Sequence, residues 1–220
     1  MKNAFTLAET LIVLSIIGVV AALTMPALIQ KHQKLTTITR LKETYSLLYQ
    51  AIKTSEAYND EISNWNFGEV GCTGASEFTE KYISPYLKIT KKCICNNSGE
   101  CNFKAGNLNN PNNTDNADYY LTRSEQLFLS NGSIIAISRP PGIDYPIILI
   151  DINGKNKPNI VGKDVFEFDI KDGNFVPRGS NFDKNSLKTE LNGCHKEGSG
   201  AFCARLIMLD NWQITNDYPW

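Results

Sequence analysis

The chain has 220 residues, with 22 basic and 23 acidic side chains and a net charge of −1. This near-neutral balance implies no strong partner, so we expect no clear nucleic-acid or small-molecule partner. The length and the 42% hydrophobic fraction suit one globular unit of common size besides a single long helix.

A long apolar segment lies near the start of the chain. It runs to Ile29, and its only charged side chain is Glu9. About 20 apolar residues suffice to span a bilayer, so we predict a transmembrane helix over residues 5–29. A charged group inside such a helix costs about 2.5–3.5 kcal/mol or more at the bilayer centre. The position of Glu9 therefore predicts a functional role.

The sequence Ala-Phe-Thr-Leu-Ala-Glu at residues 4–9 resembles the class III signal of type IV pilins and type II secretion pseudopilins. The resemblance covers about thirty residues and includes Gly18 and Pro26, where such proteins often carry residues that loosen the helix. It implies that a prepilin peptidase cuts between Ala4 and Phe5 and that the new amino group of Phe5 is methylated. The residue before the cut is most often glycine in these proteins, whereas this chain has the small Ala4.

The same resemblance implies a structural subunit of a bacterial type IV pilus or type II secretion pseudopilus. Such a subunit crosses the inner membrane once, with its large domain outside the cytoplasm, and then enters a filament. Its expected partners are the prepilin peptidase, the assembly platform and other pilin or pseudopilin subunits. Glu9 would serve assembly by pairing with the methylated amino group of Phe5. We expect four segments: a leader at 1–4, a transmembrane half-helix at 5–29, an amphipathic outer half-helix at 30–58 and an extracytoplasmic α/β domain at 59–220.

Two other interpretations of the apolar segment remain open. A conventional secretory signal has an apolar segment of about 7–15 residues, which is shorter than this one. A plain signal anchor has about this length, and it would tether an extracytoplasmic binding or adhesive module. That alternative predicts an exposed aromatic or basic patch, for which the candidates are Trp65, Lys91, Lys92 and Trp220.

Basic residues and cysteines give opposite orientations for the span. Four cations follow it and only Lys2 precedes it, which by the positive-inside rule places the large domain in the cytoplasm. All six cysteines lie beyond the span, and an even number in a modest domain is typical of exported, disulfide-bonded proteins. We follow the cysteines and the signal motif, and we place the domain outside. The six residues are Cys72, Cys93, Cys95, Cys101, Cys194 and Cys203.

Fifteen connectivities are possible for six cysteines. We predict that Cys194 pairs with Cys203 and that the other four form two bridges near the middle of the chain. A zinc site is disfavoured because a single residue separates Cys93 from Cys95, whereas structural zinc sites usually have Cys-x2-4-Cys spacing.

An amphipathic pattern follows the apolar segment. Its apolar members recur at steps of three and four residues, which predicts a helix with one buried stripe. The stripe comprises Leu35, Ile38, Leu41, Tyr45, Leu48 and Ile52. Proline costs about 3 kcal/mol in a helix interior, so Pro26 predicts a kink or local melting between the two halves. In pilin-like proteins the outer half packs against an antiparallel sheet, so the expected fold class is α+β, with loops held by disulfides.

Strand patterns fill the second half of the chain. Residues 127–138 contain Asn131-Gly132 between apolar runs, which predicts a hairpin with a type I′ turn. Residues 145–152 predict another strand, and residues 165–176 predict a second hairpin. A short helix bent near Pro85 is predicted within 76–87, and residues 201–212 suit either a short helix or a closing strand.

Oxygen-bearing side chains cluster between residues 151 and 164. Asp151, Asn153, Asn159 and Asp164 could supply the oxygen ligands that calcium prefers. The spacing is not that of an EF-hand, and Asp, Asn and Gly residues are also what ordinary tight turns use. Calcium and plain turn chemistry both stay open, and we expect no other cofactor.

Enzymatic activity has little support in the sequence. His32 and His195 lie in no recognisable triad or metal motif, and the chain has no glycine-rich phosphate loop. We therefore expect a protein that is not an enzyme and that has no small-molecule substrate.

Overall fold

The computed structural model describes residues 6–94, 101, 103–112 and 124–220. The helices are α1 (Leu7–Asn59), α2 (Cys72–Tyr82) and α3 (Cys203–Leu209). The strands are β1 (Ile89–Ile94), β2 (Ser124–Leu129), β3 (Ile134–Ser138), β4 (Ile147–Asp151), β5 (Val165–Lys171) and β6 (Asn174–Pro177). Short 3-10 segments cover Ile62–Asn64, Ser84–Tyr86 and Ser186–Lys188. The protein is therefore α+β, as predicted.

The chain divides into two compact units, residues 1–36 and residues 37–220. The described part of the first unit is almost entirely helical, and none of its side chains from Thr6 to Thr36 is buried. Helix α1 continues through Pro26, so the predicted melting at this residue does not occur.

The second unit is built on one six-stranded sheet with the strand order β1-β2-β3-β4-β5-β6. Every pair of neighbours is antiparallel, so the sheet is a meander. Strands β2 to β6 agree with the predicted strands. Strand β1 was not predicted, and its two adjacent lysines, Lys91 and Lys92, explain why its apolar pattern is weak.

One face of the sheet packs in a core with the outer half of α1. Leu41, Leu48 and Ile52 are fully buried in it together with β-strand residues such as Ile135 and Phe168. The predicted stripe is thus confirmed over most of its length, and its first member is the exception, because Leu35 is 66% exposed.

The opposite face of the sheet is also covered. Ile134, Leu149 and Val165 belong to a second buried cluster that includes Phe103 and Ala105 from the segment before β2. Residues on both faces of the central strands are consequently buried, and the polar side chains on those strands lose contact with solvent.

The β2–β3 turn differs from the predicted type I′ turn. Asn131 does not have a positive φ, whereas Gly132 does, at 87°. The Gly132 N–H donates to the Leu129 carbonyl, which is the geometry of a type I turn followed by a left-handed glycine. The Asn131 side chain accepts hydrogen bonds from the Ser133 N–H and hydroxyl, and this contact holds the turn in the other form. Two consecutive positive φ angles occur instead at Asp172 and Gly173, between β5 and β6.

The segment after α1 contributes aromatic residues to the core. Trp65 is buried, with its ring stacked 4.5 Å from that of Tyr82 in α2. It therefore cannot belong to the exposed aromatic patch that the binding-module alternative predicts. Helix α2 begins at Cys72, four residues earlier than the predicted segment, and residues 203–209 form a helix, not a strand.

Candidate functional site

The start of α1 carries Glu9 in a defined local environment. The Glu9 carboxylate accepts hydrogen bonds from the Thr6 N–H and hydroxyl, both at 2.8 Å. In return, the Glu9 N–H donates to the Thr6 hydroxyl at 3.3 Å. This reciprocal arrangement is a capping box, which satisfies N–H groups that lack a partner within the helix. Glu9 thus has a structural role that the sequence analysis did not identify.

The apolar side chains that follow Glu9 lie on the helix surface. Leu14, Ile17 and Leu23 are each more than half exposed, and residues on every side of the helix share this property. Helix α1 is long and apolar enough to cross a membrane. Exposed apolar area of this extent marks a surface that contacts lipid or another protein.

Of the other predicted residues of this segment, Gly18 and Pro26 lie in the described part of α1. Gly18 has no atom within 4 Å of the position that a Cβ would take, so nothing in the described fold requires a glycine there. Pro26 lies within continuous helix. Ala4 and Phe5 lie outside the described residues, and the predicted cleavage between them stays a prediction.

The 151–164 loop connects β4 to β5 and is organised by Asp164. The Asp164 carboxylate accepts the backbone N–H groups of Asn159, at 2.8 Å, and Ile160, at 2.7 Å. It also accepts the Asn153 side-chain amide at 3.1 Å. Three of the four predicted ligands are therefore in one hydrogen-bonded group, and Asp151 joins it by accepting the Asn153 N–H at 2.9 Å.

Three oxygens of this loop have no hydrogen-bond partner among the described residues. They are Asp151 Oδ2, Asn153 Oδ1 and Asn159 Oδ1. Asp151 is only 1% exposed, although its other oxygen is bonded. A buried acceptor without a partner costs about 1–3 kcal/mol, so ordinary turn chemistry accounts for only part of this arrangement.

Neighbouring segments hold the loop in place. The Gly106 N–H donates to the Asn159 carbonyl, and the Val161 N–H donates to the Gly106 carbonyl, each at 2.9 Å. The buried Tyr218 hydroxyl donates to the Gly162 carbonyl. The backbone around the oxygens is therefore fixed from two sides.

Burial changes the acidity of both loop carboxyls. Loss of solvation raises the pKa of Asp151 well above its usual value, and the charge of Asp164 adds to this effect. Burial likewise raises the pKa of Asp164, against the opposing effect of its N–H donors. The Lys155 ammonium, in the same loop, lies over the Phe128 ring at 5.5 Å.

The cysteines follow the predicted pairing as far as they are described. Cys194 and Cys203 form a disulfide, which confirms the prediction, and Cys93 pairs with Cys101. Cys72 is also disulfide-bonded, whereas Cys95 lies outside the described residues. His195 Nε2 is 2.8 Å from the Glu190 carbonyl. No group of three or more His, Cys, Asp or Glu side chains in the described ranges could hold a metal ion.

Buried acids on the sheet were missed in the sequence. Glu125 of β2 is completely buried, and burial is the main cause that raises its pKa to about 7. The Ser76 hydroxyl opposes this shift and the Glu80 carboxylate adds to it. Glu80 itself is paired with the Lys92 ammonium at 2.7 Å, which lowers the pKa of Glu80.

A second acidic group lies on β5. Arg178 Nη1 is 3.4 Å from Glu167 Oε2 and 3.9 Å from Asp169 Oδ1. Burial raises the pKa of Glu167, and it raises that of Asp169 to about 6, while Arg178 partly offsets both shifts. Both acids alternate with Phe166, Phe168 and Ile170, so they lie on the other face of β5, and the structure shows that this face is covered as well.

Comparison with protein families assigns the chain to one family. The profile of DUF6613, described as a family of unknown function, matches residues 27–220, so the chain belongs to this family. The match begins just after Pro26 and covers the outer half of α1 together with the whole sheet. Comparison with curated proteins and with solved structures gives no match.

Proposed function

We propose that this protein is a membrane-anchored structural subunit of a bacterial filament of the type IV pilus or type II secretion pseudopilus class. The observation that carries the proposal is α1, whose first part exposes apolar side chains and whose later part belongs to the core of the domain. The exposed part would lie in the inner membrane before assembly and against neighbouring subunits afterwards. Its function would be assembly rather than catalysis.

Processing of the N-terminus is the first step of this function. A prepilin peptidase would cut between Ala4 and Phe5, and methylation would follow at Phe5. The capping box is compatible with that cut, because Thr6 and Glu9 both lie on the retained side.

The negative charge of Glu9 is the second part of the proposed function. Capping alone needs only an acceptor at this position, and a glutamine can serve as well as a glutamate. A negative charge has a further use if the amino group of Phe5 becomes a free cation. Two unit charges 4 Å apart attract by about 4 kcal/mol at an effective dielectric constant of 20, against about 1 kcal/mol in water. The pairing would therefore favour assembly in an apolar setting.

The experiment combines processing with two substitutions that separate capping from charge. The chain is expressed with a prepilin peptidase and assembly system, and its intact mass and its presence in sheared filament fractions are measured. We expect loss of Met1 to Ala4, one added methyl group, and incorporation into filaments. Glu9→Gln should be inserted and cleaved normally, but it should be depleted from filaments because the charge is lost while the cap remains. Thr6→Ala weakens the cap and keeps the charge, so it should still be incorporated.

Two results would contradict the proposal as a whole, and a third would contradict the role of the Glu9 charge. An intact N-terminus in the membrane would favour the tethered binding module. A mature start near Met25 would indicate an ordinary secretory signal. Normal incorporation of Glu9→Gln would show that the charge has no role in assembly.

A further inference from the structure

We propose that the 151–164 loop is a calcium site, independent of whether the protein forms filaments. The inference rests on the carboxylate oxygen Asp151 Oδ2. Asp151 is only 1% exposed, and this oxygen has no hydrogen-bond partner in the described part of the chain. The Asn153 Oδ1 and Asn159 Oδ1 atoms are also unbonded there.

The hydrogen bonds that connect the residues of this loop do not use these three oxygens. Asn153 and Asn159 are both tied to Asp164 Oδ2, by a side-chain N–H and a backbone N–H respectively. Asp151 is tied to the Asn153 N–H through its other oxygen. The donors of the loop thus set its shape and leave one acceptor on each of three residues unused.

The ligand chemistry favours calcium over other ions. The group offers carboxylate and amide oxygens, with no sulfur or imidazole among its four side chains, and hard divalent cations prefer such ligands. Calcium takes about 6–8 oxygens in flexible geometry, and backbone carbonyls and water can complete its shell, whereas magnesium needs a nearly ideal octahedron. A divalent cation would also balance the charges of the two acids, Asp151 and Asp164.

The affinity should be modest. Only two of the four side chains carry a charge, and affinity for calcium rises with the number of charged ligands. We expect a Kd of about 10⁻⁴ to 10⁻³ M, as in extracellular calcium modules.

The test measures thermal unfolding of the full chain in detergent micelles after treatment with a chelator. Calcium chloride is added to about ten times the expected Kd, and magnesium chloride at equal ionic strength serves as the ionic control. The wild-type melting temperature should rise by roughly 3–6 °C with calcium, by mass action, and by much less with magnesium.

Three variants locate the ion. Asp151→Asn keeps the shape of the side chain and should lose most of the rise. Asn159→Asp adds a third carboxylate, so it should melt below the wild type in chelator and show a larger rise with calcium. Asp172→Asn changes an acid in the β5–β6 turn, at another position with positive φ, and should behave as the wild type does.

The result of each comparison is decisive. An unchanged wild-type melting curve would overturn the calcium site and leave an ordinary turn whose oxygens bind water. An equal effect of magnesium, or a full calcium rise in Asp151→Asn, would overturn it as well. The opposite responses of Asn159→Asp in chelator and in calcium would support it even if Asp151→Asn fails to fold.

Discussion

Residues 7–36 and 37–59 belong to the same helix, yet their apolar side chains have opposite environments. Leu14 is 65% exposed, whereas Leu48 is completely buried against the sheet. Both segments are rich in leucine and isoleucine, so composition alone does not separate them. The difference lies in the pattern, because polar residues interrupt the second segment at helical intervals and leave one apolar stripe.

This comparison shows where each segment obtains its stability. The outer half of α1 contributes to a core that the rest of the domain completes. The first half has no buried side chain between Thr6 and Thr36, so it needs lipid or another chain to cover it.

The largest expected effect comes from placing charges in the first segment. Leu14→Arg combined with Ile17→Arg should abolish stable membrane insertion, because two arginines near the middle of a span cost about 5–7 kcal/mol. The measurement is resistance of the expressed chain to extraction with alkaline carbonate.

Equally exposed leucines elsewhere provide the matched controls. Leu35→Arg, further along the same helix, and Leu191→Arg, in the domain, replace side chains that are 66% and 78% exposed. Both variants should stay in the membrane fraction. If the Leu14 and Ile17 variant is retained equally well, the first segment is not a membrane span.

The second effect concerns the domain core. Leu48→Ala should destabilise the domain by about 2–5 kcal/mol, since it removes a fully buried side chain and leaves a cavity. For a domain of this size the melting temperature should fall by roughly 5–15 °C. Leu23→Ala, at an exposed position in the first segment, should leave the melting temperature of the domain unchanged. A similar fall in both variants would mean that the two segments share one cooperative unit.

The smallest effect is a pH dependence confined to the domain. The folded-state pKa of Glu125, about 7, is above its usual value, so the folded form holds this proton more tightly than the unfolded form. The contribution to stability is present below about pH 4.5 and is lost as the pH rises to about 7. Glu125→Gln should flatten the curve of stability against pH in this window by about 1–2 kcal/mol.

Other acids, Asp169 and Glu80 among them, also make the stability of the domain depend on pH. The raised pKa of Asp169, about 6, gives a slope of the same sign, so the Glu125→Gln curve will not be flat. The pKa of Glu80 is lowered by its pairing with Lys92, so its contribution to stability has the opposite sign. That contribution is lost as the pH falls below the usual range of a glutamate pKa. Denaturant unfolding at several pH values measures the difference. An unaltered slope in Glu125→Gln would show that Glu125 does not titrate in this range.

The sequence predicted those parts of the fold that depend on short-range patterns, such as helix faces and tight turns. The three- and four-residue spacing of Leu41, Leu48 and Ile52 predicted the packed face of α1, and the Asp172-Gly173 pair marked the β5–β6 turn. The β2–β3 turn was predicted at the right place but with the wrong type, because the Asn131 side chain bonds to Ser133. That bond depends on the folded turn and not on the dipeptide alone.

The sequence could not predict which faces of the sheet are covered by segments that are distant along the chain. Alternation in β5 gave the correct two faces, but it cannot show that the face with Glu167 and Asp169 is also buried. The grouping of Asp151 with Asn153 and Asp164 was suggested by proximity in sequence, whereas the unused oxygen of Asp151 follows from three-dimensional packing. Disulfide pairing was predicted where two cysteines are close in sequence, as for Cys194 and Cys203.

The capping box at the start of α1 has a consequence for how the helix forms. A first helical turn nucleates poorly, with a nucleation constant of about 10⁻³, since several residues are fixed for one hydrogen bond. Thr6 and Glu9 add reciprocal bonds within that turn. The nucleus is thus supplied at the end of α1 where no described side chain is buried, so helical structure can grow along the apolar segment before any partner covers it.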